Sequence, residues 1–505
     1  MVDLTELRPG GENGGVKPFI FEYLAWLTQR EHERLRVTFL TASCSHGDVR
    51  TLARAWDNLI CVRDSTGTGA VTTRGWRARE WVYFNPPSSL AYEIDADLTY
   101  SPFGSPQFIC PGVPTIATVV DLLHRDYPAS LRPGEAAYRE KLYAELAESA
   151  DLFQCISEYT GSQLQKCYGI PAARILRTYI AVHDRLERQA ALQSSSAANA
   201  RVSSHPYFLY PANSWRHKNH RTLLVAYRLY RQQAGAAPWD LVLTGHDDEG
   251  MQEILAAADS LGLANHVRYQ GHLSEGEFAE LWRNAGALVF PSLHEGFGIP
   301  LVEAMHFRVP IVCSDVTSLP EIAGGAALLA DARRPEIFAA ALARIAADAD
   351  LRADLVQRGA DQLARFSIER EGEAFLAACR SLIGARTAKR HRGWYVDGWT
   401  CPMACFSVPL HHGPISVEAR FAPMPVGRMI RFYNGCIPLG GFRLEAAKPT
   451  LVRFRFEPGK SALVMHTVDA SKLSTEDHRI HGVRLEEIRI VDSDGLQEIL
   501  SPAAA

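Results

Sequence analysis

Short apolar runs and amphipathic stretches take turns along the first third of the chain. RVTFLTA (36–42), NLICVRD (58–64), ADLTYSP (96–102) and PTIATVVD (114–121) are rich in the apolar and β-branched residues of buried strands. FIFEYLAWLTQR (19–30) and the charged stretch 134–150 read as helices. Such alternation predicts a parallel sheet with helices packed on its faces. The pattern lapses in a segment containing LQSSSAANARVSS, Ser/Ala-rich and weakly patterned, which reads as a linker over 186–206.

The alternation then restarts. Strands are expected at YFLYPA (207–212), DLVLTG (240–245), VRYQG (267–271), ALVFPS (287–292) and PIVCSD (310–315). Helices are expected around 220–232, 251–262, 275–285 and 299–307, with a helical tail from 335 to 386. Past RTAKRHRG the period changes to two: ISVEARF, LVRFRFEPG, SALVMHTV and VRLEEIRIV alternate apolar with polar residues, as one-sided antiparallel strands do. The plan is an α/β protein with two Rossmann-like domains, 1–185 and 207–386, followed by an all-β, sandwich-like domain over 392–505.

Composition narrows the classes without choosing among them. A chain of 505 residues exceeds one compact core, and its 47% hydrophobic and 22% charged residues are ordinary for a globular protein. A formal net charge of −4 supplies no global attraction for nucleic acid. The ten cysteines are scattered through apolar runs, the pattern of reduced core thiols, and Cys401 and Cys405 lack the second pair of a zinc site. MVDLTELRPGGENGG shows no signal-peptide pattern and no run is long enough to cross a bilayer, so a cytoplasmic location is expected, with a peripheral place on the inner membrane face as the variant.

Chemistry gathers at expected strand ends, where open α/β sheets bind ligands. PSLHEGFGIPLVEAM (291–305) places Glu295 in a glycine-rich loop and Glu303 one turn into the following helix. Gly298 and its neighbour Gly296 allow a close backbone approach, Pro300 suits a first helical turn, and the helix start favours a phosphate. Two carboxylates there suit the hydroxyl pairs of a sugar or ribose; the plain alternative is one capping acid and one solvated acid. YPANSWRHKNH (210–220) brings Arg216, His217, Lys218 and His220 to another strand end, a cluster of cations for a leaving diphosphate or a solvated basic turn. RPGGENGGVKPF (8–19) is a glycine loop able to cradle phosphate or acceptor, or a flexible turn. TVVDLLHRDYP (118–128) offers Asp121 and His124, an acid and an imidazole that can share a face and bind a sugar hydroxyl, against a structural histidine as the plain alternative. Ser157 in CISEYT reads as a helix cap. DAD (95–97) and DSD (492–494) have the Asp-x-Asp form of a metal site but not the architecture that uses it, and HDDE (246–249) reads as a solvated turn. No metal site is therefore expected, and His411 and His412 find no role.

The fifteen-residue pattern 291–305 resembles the Glu-x7-Glu signature of family 4 retaining glycosyltransferases, which have the GT-B fold of two Rossmann-like domains facing a cleft. The resemblance spans roughly residues 7–380, with the motifs in the expected order. It implies that Glu295 contacts the donor sugar and Glu303 the nucleotide ribose, with Phe297, Gly298 and Ile299 lining the donor. It implies Lys218 as the diphosphate lysine, Arg216 in place of an arginine found elsewhere in the motif, and Gly14 and Gly15 against the donor, with Asn213, Glu321 and Ser157 in a second tier. Asp121 and His124 match the family's HDLQH-like pattern, whose first histidine is Val120 here, and Arg308 replaces a usual glycine.

The resemblance therefore implies transfer of a sugar from a nucleotide diphosphate donor to an acceptor hydroxyl with retention, without metal or other cofactor. The motifs are most similar to bacterial transferases of mannose- or rhamnose-containing surface polysaccharides such as lipopolysaccharide. GDP-mannose is the first donor expected, and a glycan or lipid-linked oligosaccharide the acceptor. A rhamnosyl or UDP-sugar donor, an epimerase of the same fold, and a non-catalytic glycan-binding scaffold are the alternatives. In the β domain, Trp394 and Trp399 are candidates for stacking on glycan, against burial in a core.

Overall fold

The structure, a computed structural model, describes residues 1–9, 13–30, 35–63, 69–73, 79–84, 90–94, 96–105, 107–109, 113–182, 185–186, 205–234, 238–384, 391–394, 397–407, 413–434, 437–456, 462–471, 481–491, 495 and 497–501. The stretch LQSSSAANARVSS with most of the expected linker, the motif DSD, and His411 and His412 lie outside them.

Among the described residues the first sheet has nine strands. Val2–Leu4 lies at its centre, between Thr38–Ala42 and Thr99–Ser101. On one side follow Asn58–Arg63, Arg79–Phe84 and Gly69–Thr73; on the other, Thr115–Val119, Leu152–Cys155 and Ile175–Arg177. All neighbours run parallel except Gly69–Thr73, which turns back antiparallel at the edge. The second sheet has six parallel strands in the order Val267–Tyr269, Asp240–Thr244, Tyr207–Pro211, Ala287–Phe290, Ile311–Ser314, Ala327–Ala330. Its inner strands are nearly continuous apolar runs because helices cover both faces, and Ala287–Phe290 is buried throughout.

Chain order reverses between Tyr207–Pro211 and its neighbour Ala287–Phe290, and again between Val2–Leu4 and Thr99–Ser101. A crevice opens beyond the carboxyl ends of strands at such a reversal. The loops leaving those ends are the lysine turn, the Glu295 loop and the first glycine loop, so topology alone brings the sequence motifs to the seam. The two α/β domains share one apolar core. Helix Ile368–Gly384 joins them: Phe375 packs edge-on against Tyr23 and Tyr100, ring centroids 5.3 and 4.9 Å apart. Gly372 seats the Trp26 ring so closely that a Cβ would lie 2.3 Å from it.

The C-terminal segment forms two antiparallel sheets of five and four described strands. Ile430, Phe432, Leu463 and Met465 of the first pack against Val417, Ala419, Ile488 and Ile490 of the second, the expected sandwich. Trp394 belongs to this core, 5% exposed, with its indole N–H donating to the Leu485 carbonyl at 3.0 Å, so it offers no stacking face. Trp399 packs at the margin of the same core, edge-on to His481.

Candidate active site

The lysine turn is a 3-10 turn, Arg216–Lys218, closed by Asn219 in the left-handed region at φ 62°. Asparagine tolerates that conformation better than most residues, and here its amide also donates to the carbonyls of Pro291 (3.1 Å) and Ala332 (2.9 Å). The Leu293 amide donates to the His217 carbonyl at 2.7 Å, and the Tyr210 hydroxyl to that of Lys218. These bonds stitch the lysine turn to the Glu295 loop. On the other side, the Glu295 amide donates to the Thr317 hydroxyl (3.0 Å), and the Ser318 hydroxyl reaches the carbonyls of Glu295 and Phe297 (both 3.0 Å).

Between these braces the Lys218 ammonium stands 2.6 Å from Glu295 Oε1, with the two side chains only 14% and 12% exposed. The ammonium also lies 5.5 Å from the Phe290 ring centre. Burial pushes the Glu295 carboxyl up, but Lys218 and His217 beside it hold it below the usual carboxylate range. The Glu295 carboxyl is thus held in its charged form at neutral pH, and both side chains are placed by loops leaving adjacent strand ends. His217 and His220 are corrections to the expected cation cluster. Burial, reinforced by the charge of Lys218, lowers each to about 4, so both imidazoles are neutral at pH 7. Arg216 is exposed on the turn. The charge at this strand end comes from Lys218, with Arg216 at its rim.

The first domain meets this loop closely. A Cβ at Gly296 would fall 1.7 Å from the Val120 carbonyl oxygen and 3.3 Å from Asp121 Cβ, so only glycine permits the approach. Gly15 abuts Ile299 Cδ1 (2.6 Å from a would-be Cβ), and Gly14, at φ 54°, faces the Trp215 ring at 3.1 Å. The sequence-derived Gly14, Gly15, Gly296, Gly298 and Ile299 are thereby brought together. Gly298, at φ 107°, turns the loop into helix Ile299–His306. Gly10, Gly11 and Glu12 of the same loop fall outside the described residues.

Other candidates are engaged locally. Asp121 accepts from the Leu123 amide at 3.0 Å and faces Arg139 at 3.7 Å. His124 is 5% exposed, stacks on Tyr143 at 4.8 Å and shares a 2.8 Å hydrogen bond with the Tyr168 hydroxyl, a packing role within the first domain. Phe297 is buried against Phe366 and Tyr179. Asn213 accepts from the His246 amide at 3.0 Å. Ser157 caps helix Glu158–Tyr168 by accepting from the Thr160 amide, as expected. Glu321 reaches across the seam to the same helix start, accepting from the Glu158 (2.8 Å) and Tyr159 (3.0 Å) amides.

Glu303 is 2% exposed, and Arg185 lies 3.2 Å from it while also binding Glu275 at 3.2 Å. Burial raises the Glu303 carboxyl, and Arg185 counters only part of that. Sequence reading missed Arg185, Asn219, Thr317, Ser318 and a cross-domain pair, His294 with Asp126, whose nitrogen and oxygen stand 2.9 Å apart. Asparagine directly before a helix was the one local clue among these. Among the described residues no group of three His, Cys, Asp or Glu side chains is arranged to hold a metal ion, and no helix is long and apolar enough to cross a membrane.

The comparisons agree with this architecture. A glycosyltransferase from Rickettsia africae ESF-5 superposes with TM-score 0.53 at 11% identity, covering 76% of this chain and 98% of that one. Anabaena Alr3699/HepE, solved with UDP and glucose, superposes with TM-score 0.55 at 15% identity, covering 75% of this chain and 100% of that one. The fold is that of the GT-B glycosyltransferases. Within it, residues 193–362 match the family described as glycosyl transferases group 1, and the chain carries a domain of that family.

Among named relatives, O-antigen chain mannosyltransferase B of Escherichia coli is 32% identical over 236 residues, 46% of this chain and 61% of the relative. O-antigen chain mannosyltransferase RfbU of Salmonella typhimurium is 26% identical over 238 residues, 45% of this chain and 61% of the relative. The aligned region thus spans about three-fifths of these relatives' length.

Proposed function

We propose that this protein is a retaining glycosyltransferase that moves mannose from GDP-mannose to a hydroxyl of a glycan or lipid-linked acceptor in surface polysaccharide synthesis. The observation that carries the reading is the buried Lys218–Glu295 pair at the reversal point of the second sheet, with the first domain's Val120 and Asp121 pressed against the adjoining Gly296. Two relatives whose names are O-antigen chain mannosyltransferases support mannose as the transferred sugar.

In this reading the donor's diphosphate lies against Lys218, and Glu295 turns from the lysine toward the sugar hydroxyls. Lys218 and loop amides then offset negative charge as it grows on the departing phosphate, without a metal ion. The bond from the anomeric carbon to the β-phosphate oxygen breaks, and its electron pair leaves with GDP. The acceptor oxygen bonds to the same face of that carbon while its proton passes to the departing phosphate oxygen. Closure of the two domains keeps water from taking the acceptor's place. Glu303 receives the ribose diol when Arg185 yields.

The test is a panel of labelled nucleotide sugars offered with a lipid-linked acceptor. Transfer or slow donor hydrolysis from GDP-mannose, lost in Glu295→Ala and Lys218→Ala, supports the proposal. Turnover of a UDP- or dTDP-sugar instead would move the donor assignment. Tight glycan binding without turnover of any donor would replace the enzyme with a scaffold.

A further inference from the structure

We propose that Asp126 and His294 form a catch between the two α/β domains that positions Glu295, making Asp126 a positioning residue for the transfer reaction. The proposal rests on the function assigned above to Glu295.

His294 is the chain neighbour of Glu295 and is 2% exposed. Its Nε2 lies 2.9 Å from Asp126 Oδ2, and the two residues belong to different domains, 168 positions apart. The same oxygen accepts a hydrogen bond from the Tyr159 hydroxyl at 2.8 Å, and the Tyr159 ring stands edge-on to the His294 ring, centroids 6.5 Å apart. Asp126 ends the short helix Leu123–Asp126, Tyr159 lies in the first turn of helix Glu158–Tyr168, and His294 leads into the active loop. Three elements therefore converge on one carboxylate.

Two contacts flank this convergence. On one side Gly296 rests on the Val120 carbonyl, with the Thr160 hydroxyl 3.4 Å from the Gly296 carbonyl. On the other the Glu321 carboxylate holds the amides of Glu158 and Tyr159. Glu295 thus sits between a bond its predecessor makes to the first domain and a contact its successor makes to it. Thr317 and Ser318 brace the Glu295 backbone from within the second domain, and these two contacts add the first domain's hold on the direction of its side chain.

The chemistry suits a catch. A carboxylate with an imidazole and a phenol makes strong, directional hydrogen bonds when water is excluded; the Tyr159 bond lies within the first domain and aims the carboxylate, and the His294 bond crosses the seam. Opening the seam parts His294 from the Asp126 carboxylate and leaves the Tyr159 bond in place, so the imidazole–carboxylate bond distinguishes the closed state from the open one. In the proposed function the diphosphate and ribose contacts, Lys218 and Glu303, both belong to the second domain, and Asp126 and His294 touch neither, so donor binding depends little on the catch.

The test compares the wild type with Asp126→Asn, Asp126→Ala, His294→Gln and the Asp126→Ala/His294→Gln double variant. GDP-mannose turnover is measured in steady state, and the radius of gyration by solution X-ray scattering. The catch predicts that turnover falls about tenfold to a hundredfold while the KM for GDP-mannose stays within about twofold. It predicts a double variant no slower than the slower single variant, and a larger radius of gyration in Asp126→Ala. Asp126→Asn keeps the volume and one hydrogen bond, so it serves if the alanine variant melts early.

Turnover and radius equal to wild type in Asp126→Asn and His294→Gln, or losses that simply add in the double variant, overturn the catch. A wild type inactive on every donor, with Asp126→Ala still expanded, would remove the transferase reading and leave the catch standing. An active wild type whose Asp126 variants match it in rate and size would do the reverse.

Discussion

The Lys218 ammonium and the Glu295 carboxylate stand 2.6 Å apart on loops that leave two adjacent parallel strands, Tyr207–Pro211 and Ala287–Phe290. The candidate pair is thus assembled within one domain, and the first domain arrives as backbone, through the Val120 carbonyl at Gly296. Removing either charge leaves the other in a poorly solvated place. Lys218→Ala and Glu295→Ala should each cost about 3 kcal/mol of stability, less in the double variant, and lower turnover about 10²–10³-fold. Urea unfolding and initial-rate assays check both, and additive stability losses would deny the coupling.

Gly296→Ala isolates domain closure from chemistry. The new methyl would overlap the Val120 carbonyl, 1.7 Å away, so the seam must open or the loop must shift. Neither Lys218 nor Glu303 is touched. Turnover should fall at least about tenfold, the order seen when a positioned group moves by 1 Å or less, while GDP binding by calorimetry stays near wild type. A variant with native turnover would mean that the seam is looser than this contact indicates.

His220 sets an acid limit on stability. It is 4% exposed, packed on the Tyr210 ring at 4.7 Å, and lowered from 6.5 to about 4. A histidine that is neutral in the fold and free to protonate when unfolded adds stability in full above pH 6.5. That contribution is lost as the pH falls from 6.5 toward 4, about 3 kcal/mol in all for a shift of this size. Glu295, held low, acts in the same direction but only below the ordinary carboxylate range. Thermal melts between pH 7 and 4.5 should show a falling Tm, and His220→Gln should have the shallower slope. Parallel slopes in the two proteins would exclude His220 as the source.

Much of this was legible in the chain because buried parallel strands are continuous apolar runs and ligand loops follow their carboxyl ends. YFLYPA and ALVFPS announced the two strands whose ends carry Lys218 and Glu295. Val2–Leu4, the central strand of the first sheet, is three residues long and has no period to read. Ile175–Arg177 is half-buried at the sheet's edge and equally short. The neutrality of His217 and His220 comes from burial, which a run of basic letters conceals. Asp126 with His294, and Arg185 with Glu303, join positions far apart in sequence, and neither partner's surroundings mark it for the other.

Arg185 offers the most direct test of the second glutamate. It bridges Glu303 and Glu275, so Arg185→Ala strands a carboxylate that is 2% exposed. Losing the partner of a buried charge costs about 3–5 kcal/mol at neutral pH. The sign with pH is opposite to that of His220. A carboxyl raised by burial favours the fold most below the ordinary carboxylate pKa and loses that advantage as the pH rises through its own. The defect of Arg185→Ala should therefore shrink as the solution is acidified toward pH 5 and be largest at pH 7 and above. If Glu303 is the ribose ligand, the variant also lacks the guanidinium that the ribose diol must displace. Saturating GDP should then raise its Tm by more than it raises that of the wild type at equal occupancy. A smaller GDP-induced rise in Arg185→Ala would instead make Arg185 part of the nucleotide's own binding surface.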